Sequence, residues 1–315
     1  MASTEIIPGV HAIRGKFAGE FGFIASYLLI NEGEALVIDP GTAGDPGDRI
    51  EKKLKDLGLN PKSDLIGIVC THGHPDHAGG AKRLRKATDA KVMIHDSDAE
   101  LLRDPTSFLN DRLLMDRAQR MAMKFDKGPL RVNYQGFEPD VILTNGQSIQ
   151  VGELTLRVIH TGGHSAGHCV IYEPTQKMLF SGDEINNFPN DPRKFYVDLS
   201  GSVVAKLAAI DSLTNLDIDY LFPAHDVPSL FGDVRLQFEG VRDGIIHLQD
   251  TILSHLEARG ESDIGQLEFD IQQSRSVPIP TTLDSLLATT IKVTLDGLAE
   301  AGLVKNLGDD IWITI

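Results

Sequence analysis

Cysteine is almost absent: the 315 residues include only Cys70 and Cys169. Both sit in apolar, strand-like runs. That excludes a disulfide framework and suits a reducing, cytoplasmic setting. Long apolar runs are missing too. No stretch approaches the ~18 uninterrupted apolar residues of a membrane span, so no membrane partner is expected. The opening Met1-Ala2-Ser3-Thr4-Glu5 has neither a basic start nor an apolar core, so no secretory signal is read there. Positive charge is in short supply: 30 Lys and Arg face 45 Asp and Glu, a net charge of −15. An acidic surface repels phosphate backbones and anionic lipids, which argues against nucleic acid as a partner.

Metal-ligating side chains are present and concentrated. His72-Gly73-His74-Pro75-Asp76-His77 follows the apolar run Leu65-Ile66-Gly67-Ile68-Val69-Cys70. His72 and His74 lie two apart on an extended backbone, so both point to one side. Asp76 and His77 come after a proline bend and reach toward a neighbouring point. Four ligands from one segment, with others arriving from elsewhere, suggest two metal positions. Three more candidates each follow a strand-like run: His164 after 155–159, Asp183 after 178–180 and His225 after 220–222. Strand ends meeting at one rim give such a cluster rigid support.

Five motifs in order, Asp39-Pro40-Gly41, the His72–His77 cluster, His164, Asp183 and His225, resemble the metallo-β-lactamase superfamily over residues 6 to 230. The resemblance implies an α/β fold, the αβ/βα sandwich. It implies that His72, His74 and His164 bind a first metal. Asp76, His77 and His225 would bind a second, and Asp183 would bridge both. Asp39 would stand behind the ligands and orient one of the histidines. The last motif reads Ala224-His225-Asp226, where the family often flanks its histidine with glycine, so the second metal is expected to be held less tightly.

Nitrogen and carboxylate ligands suit two divalent ions, zinc by default, with iron or manganese as alternatives. A hydroxide bridging two such ions would be the nucleophile, with Asp76 orienting it and carrying its proton. The expected activity is hydrolysis of a small ester, thioester or lactone, similar to glyoxalase II or the lactonases of the superfamily. One alternative is a phosphodiesterase or endoribonuclease of the same fold. Another is a non-catalytic or redox metal protein; the flavodiiron reductases usually place a glutamate where His74 stands.

Residues 1–230 read as the catalytic domain. Strands are expected at 10–13, 24–30 and 35–38, and a helix opens at Asp45-Pro46 with Asp45 as its cap. A second helix is expected from Ala78 to Ala87. Strands surround Asn145-Gly146 and Gly152-Glu153, a hairpin spans Cys169 to Phe180, and Val203 to Leu213 is helical. Residues 97–127 form a helical insert rich in apolar side chains. It packs on the core, acts as a lid with a Met-rich wall, or makes a dimer contact. Phe108 and Met115 from the insert, with Asn186, Phe188 and Tyr196 from the loop after Asp183, are expected to line the substrate pocket. His11 and His95 are expected at the surface or rim.

Residues 231–315 read as a long helix ending at Gly260, further helices, and a hairpin turning at Gly308-Asp309-Asp310, a winged-helix-like α+β module. Such modules often bind nucleic acid. Between 240 and 315, however, twelve acids face five bases, and the third helix carries one lysine, Lys292, against Asp296 and Glu300. A helix entering a groove needs several cations to replace condensed counterions. The tail is therefore read as structural, dimerising or a pocket wall.

Overall fold

The computed structural model describes residues 4–16, 23–125, 130–185, 201–225, 229–277 and 284–315. Two sheets face each other. The first runs β1 (Thr4–Ile7), β2 (Val10–Lys16), β3 (Phe23–Asn31), β4 (Glu34–Ile38), β5 (Leu65–Val69), β6 (Lys91–His95) and β7 (Val141–Leu143), in that spatial order. The second is ordered β13-β12-β11-β10-β9-β8, from β8 (Ser148–Val151), β9 (Leu154–His160), β10 (Cys169–Glu173), β11 (Met178–Gly182), β12 (Tyr220–Pro223) and β13 (Leu230–Phe231).

Pairing is antiparallel where turns join the strands and parallel where helices intervene, as at β4–β5, β5–β6 and β11–β12. Strands β10 and β11 are buried at every residue, as expected for strands covered on both faces.

Three apolar layers follow. Between the sheets, Tyr27 packs on Phe180 and Phe222 at 5.4 Å each, and its hydroxyl donates to Pro223 O at 2.6 Å. Outside the first sheet, α1 (Gly47–Asp56), α3 (Ala81–Thr88) and α4 (Asp96–Arg103) bury Ile50, Leu54, Leu84 and Leu102 against Leu28, Val37 and Val92. Outside the second, Val170, Leu179 and Leu221 meet Ile210 of α6 (Val203–Leu213) and the tail helices. The tail consists of α7 (Arg235–Arg259), α8 (Ile264–Ser274), α9 (Asp284–Glu300) and the hairpin β14 (Val304–Asn306) and β15 (Trp312–Thr314). Phe238, Ile245, Leu295 and Trp312 join the same cluster as the second sheet's outer face, so the tail shares a core with the sandwich.

Several local expectations are corrected. Asp45 does not cap α1: Pro46 holds the cap position, and Asp45 pairs with Arg49 instead. The helix expected from Ala78 to Ala87 is two helices, α2 (Pro75–Ala78) and α3. Between them, Gly80 N donates to Gly41 O, and a Cβ at Gly80 would stand 2.5 Å from Pro40 O. The break lets the Asp39 loop close against the histidine motif. Phe231 belongs to edge strand β13, and α7 starts only at Arg235. His11 is buried, at 3% exposure, because β2 is an inner strand of the first sheet.

The insert comprises α4, a π-helical turn Phe108–Arg112 and α5 (Arg117–Phe125). Its Phe108, Leu109, Leu113 and Met115 are buried in the cluster shared with the tail, while Leu114 and Met121 are exposed. No described helix is long and apolar enough to cross a membrane.

Candidate metal centre

Strand β5 ends at Val69, and the chain leaves the sheet through Thr71, His72 and Gly73. Gly73 is required here: a Cβ would lie 2.8 Å from the Leu101 side chain and 2.9 Å from Asp98 O. His74 takes the cap position of α2 with an extended backbone, and Pro75 starts the helix with a fixed φ. The turn of α2 then carries Asp76 and His77 inward, and both are buried. From the second sheet, His164 arrives after β9, Asp183 at the end of β11 and His225 after β12. The sheets are stitched together beside His225: Ile24 bridges to it, and Ala25 N donates to Ala224 O at 2.8 Å.

All seven expected side chains come together. Three overlapping groups have ligand atoms mutually within 4.8 Å: His72, His74 and His164; His72, His77 and Asp183; and Asp76, His77 and His225. His164 Nε2 faces His74 Nδ1 at 3.1 Å, and His77 Nε2 faces His225 Nε2 at 3.1 Å. Asp183 Oδ2 lies 3.4 Å from both His164 Nε2 and His225 Nε2, so it stands between the groups. Asp76 Oδ2 lies 3.2 Å from His225 Nε2.

The donor set fits metal ions. A tetrahedral ion with nitrogen ligands at about 2.0–2.1 Å separates neighbouring nitrogens by about 3.3–3.4 Å, close to both observed pairs. Among the buried ligand atoms, His72 Nε2, Asp76 Oδ1 and Asp183 Oδ1 have no hydrogen-bond partner. Buried polar atoms left so cost stability unless something else binds them.

Asp39 sets the histidine tautomers. It accepts from Thr71 N at 2.7 Å, from Thr71 Oγ1 at 2.8 Å and from His77 Nδ1 at 2.9 Å. Because the Thr71 hydroxyl donates to Asp39, it can only accept from His72 Nδ1, 3.1 Å away. Both rings then present Nε2 to the cluster.

Burial holds His72 and His164 well below the ordinary imidazole value and brings His74 to about 4, so this trio is neutral, the form that binds metal. Burial also lowers His77 and His225, but Asp183 and Asp76 outweigh it. They hold His77 well above the ordinary value and His225 at about 10. Protons therefore balance the carboxylates in the second trio, and a cation would displace them.

Three supporting residues left no signal in the sequence. Asp98, fully buried on α4, accepts from Gly73 N and Gly167 N at 3.0 Å each and from Ser165 Oγ. It ties the His72–His74 loop to the His164 loop. Lys206, buried on α6, donates to Asp183 O at 3.1 Å. Glu184 accepts from Thr161 Oγ1 at 3.0 Å, and burial raises it above the ordinary carboxylate value. Other histidines, among them His168, His95 and His160, stand outside the ligand set. His168 accepts from Asp183 N at 3.1 Å, behind the cluster rather than in it. His95 stacks on His160 with ring centres 3.9 Å apart.

Of the expected pocket residues, Phe108 places its ring 4.9 Å from that of His74. Met115 is buried in the cluster shared with the tail. Asn186, Phe188 and Tyr196 lie outside the described residues, as does Asp226.

Two facing sheets with a histidine–aspartate cluster at one rim define a metallohydrolase-type sandwich. The Metallo-beta-lactamase superfamily model matches residues 19–225, and the chain belongs to that superfamily. It is 32% identical over 155 residues to an uncharacterised protein of Aquifex aeolicus, spanning 48% of this chain and 59% of that one. It is 29% identical over 242 residues to the acyl-coenzyme A thioesterase MBLAC2 of Gallus gallus, spanning 72% of this chain and 80% of that one. A metallo-beta-lactamase family protein of Thermus thermophilus shares the fold over 99% of this chain and 100% of its own, with a TM-score of 0.75 at 20% identity.

Proposed function

We propose that this chain is a metal-dependent hydrolase of a small ester, thioester or lactone. The observation that carries the reading is the meeting of two buried ligand trios joined by Asp183. His72, His74 and His164 would hold one ion, Asp76, His77 and His225 the other, with zinc as the proposed metal. Bound there, the ions would supply the Lewis acidity that polarises a carbonyl and makes water nucleophilic near neutral pH.

The protein's own residues supply the rest. Asp39 and Thr71 orient two of the histidines. Asp76 turns Oδ2 toward His225 and keeps Oδ1 unpartnered, and that oxygen would hold the proton of the attacking water. Phe108, fully buried, covers the His74 ring and narrows water access to it. An acyl substrate is supported by the similarity to the Gallus gallus thioesterase.

We read the tail as a structural module of winged-helix type. Its helices and hairpin share the sandwich core, and its third helix, α9, carries only Lys292 among the basic residues.

The test is metal analysis of protein purified without chelator, then assay of that sample against p-nitrophenyl acetate, a neutral thioester, a lactone and bis-p-nitrophenyl phosphate. Up to two transition-metal ions per chain and turnover of an acyl substrate are expected. His74→Ala should lose most of the metal and the activity, since it leaves the first trio with two histidines. Higher kcat/KM on the phosphodiester than on every acyl substrate would replace this reading with a nuclease. Full metal content in His74→Ala would overturn the ligand assignment.

A further inference from the structure

Arg117, Arg120 and Lys124 lie three and four residues apart on α5, which brings them to one face of the helix. With Thr106, Leu109, Asn110 and Met121 they line a cavity of about 210 Å³. Other arginines of this acidic chain sit on carboxylates: Arg49 on Asp45, Arg83 on Asp48, Arg85 on Asp140, Arg103 on Glu138 and Arg259 on Asp270. Among the described residues, Arg117, Arg120 and Lys124 have no such partner. Two nearby carboxylates are occupied locally: Asp116 accepts from Gln119 N at 2.7 Å, and Asp104 from Thr106 Oγ1 at 2.7 Å.

Three like charges around one hollow repel each other, and an anion inside it relieves that repulsion. Arg120 is half-buried, so its charge is less screened than that of a fully exposed cation. Thr106 and Asn110 add hydrogen-bonding side chains to the same wall. The insert also links the cavity to the candidate centre along the chain. Leu109 in its wall directly follows Phe108, whose ring rests on His74.

We propose that this cavity is an anion subsite for the phosphate-bearing end of a long carrier whose other end presents the thioester to the metal centre. The inference rests on the hydrolase reading and narrows it: α5 receives the charged end of the substrate and leaves the thioester end for the metal centre. The general scarcity of cations counts against phosphate ligands elsewhere on the surface, while the insert concentrates three cations at one point.

Two experiments separate the subsite from the activity. First, ADP is titrated by calorimetry into metal-stripped protein, so that phosphate cannot bind through the metal. Saturable binding is expected, weakened about tenfold or more in Arg120→Glu/Lys124→Glu, since charged hydrogen bonds to the phosphate are lost. Should that double variant not fold, Arg117→Gln takes its place, with a smaller loss expected. No saturable ADP binding, or binding unchanged in the variants, overturns the proposal.

Second, kcat/KM is compared for acetyl-coenzyme A and for the neutral acetyl thioester of N-acetylcysteamine. The ratio of the two should favour the phosphorylated carrier and fall about tenfold in the double variant, mainly through KM. It should not move in Lys52→Glu, which changes the same kind of charge on the distant helix α1. An equal response in Lys52→Glu would reduce the effect to general charge and overturn the subsite. If both thioesters are cleaved equally and the double variant changes neither, the subsite falls and the hydrolase reading stands. If neither is cleaved, the carrier assignment falls, and the hydrolase reading is decided by the ester and lactone assays.

Discussion

Replacing Asp98 tests whether the two ligand loops are held by one buried carboxylate. Asp98 is fully buried and accepts from Gly73 N, Gly167 N and Ser165 Oγ, with the nearest cation, Arg112, 3.6 Å away. Asp98→Ala leaves three buried donors without an acceptor. Each orphaned donor costs about 1–3 kcal/mol, so the loss should total about 3–6 kcal/mol once some are rescued by relaxation or water. For a chain of this size that lowers Tm by about 6–12 °C. Asp98→Asn keeps one acceptor oxygen but sets an amide N–H against a backbone N–H, so its cost should be about half as large.

Stability alone does not test positioning. Metal affinity should therefore be measured by chelator competition at a temperature where each variant is folded. Misaligned His72, His74 and His164 should bind the first ion about 10–100-fold more weakly. Asp98→Ala with unchanged metal affinity would show that the loops hold their geometry without it. A Tm within about 2 °C of the parent would show that its donors are satisfied in another way.

Asp39→Asn should weaken metal binding about tenfold or more, because an amide cannot accept all three hydrogen bonds that fix Thr71 and His77. Unchanged affinity in chelator competition would remove Asp39 from that role. The tail should not bind duplex DNA or structured RNA at physiological salt, given twelve acids and five bases between 240 and 315. Fluorescence anisotropy is the check, and sub-micromolar binding with a steep inverse salt dependence would refute the reading.

The sequence by itself determined the ligand types and most of the elements that present them. The residues of the His72–His77 cluster are close in the chain, so their relative placement follows from a strand end and a proline-started turn, both local effects. The same holds for α6, the β10–β11 hairpin and the β14–β15 hairpin, whose periodicity and turn residues are written in short windows.

Only the tertiary structure decided the rest. Asp98 looks like any acidic residue in the first turn of a helix. It becomes a clamp because packing α4 on the first sheet buries it beside Gly73 and Gly167, the latter 69 residues away. Lys206 reads as a surface lysine on a helix until α6 covers the end of β11. The split between α2 and α3 is also a long-range effect. Gly79-Gly80 weakens the helix there, and the approach of the Asp39 loop to Gly80 fixes the break. Short-range pattern fixes which side chains are available. Burial and distant contacts fix which of them must share one space.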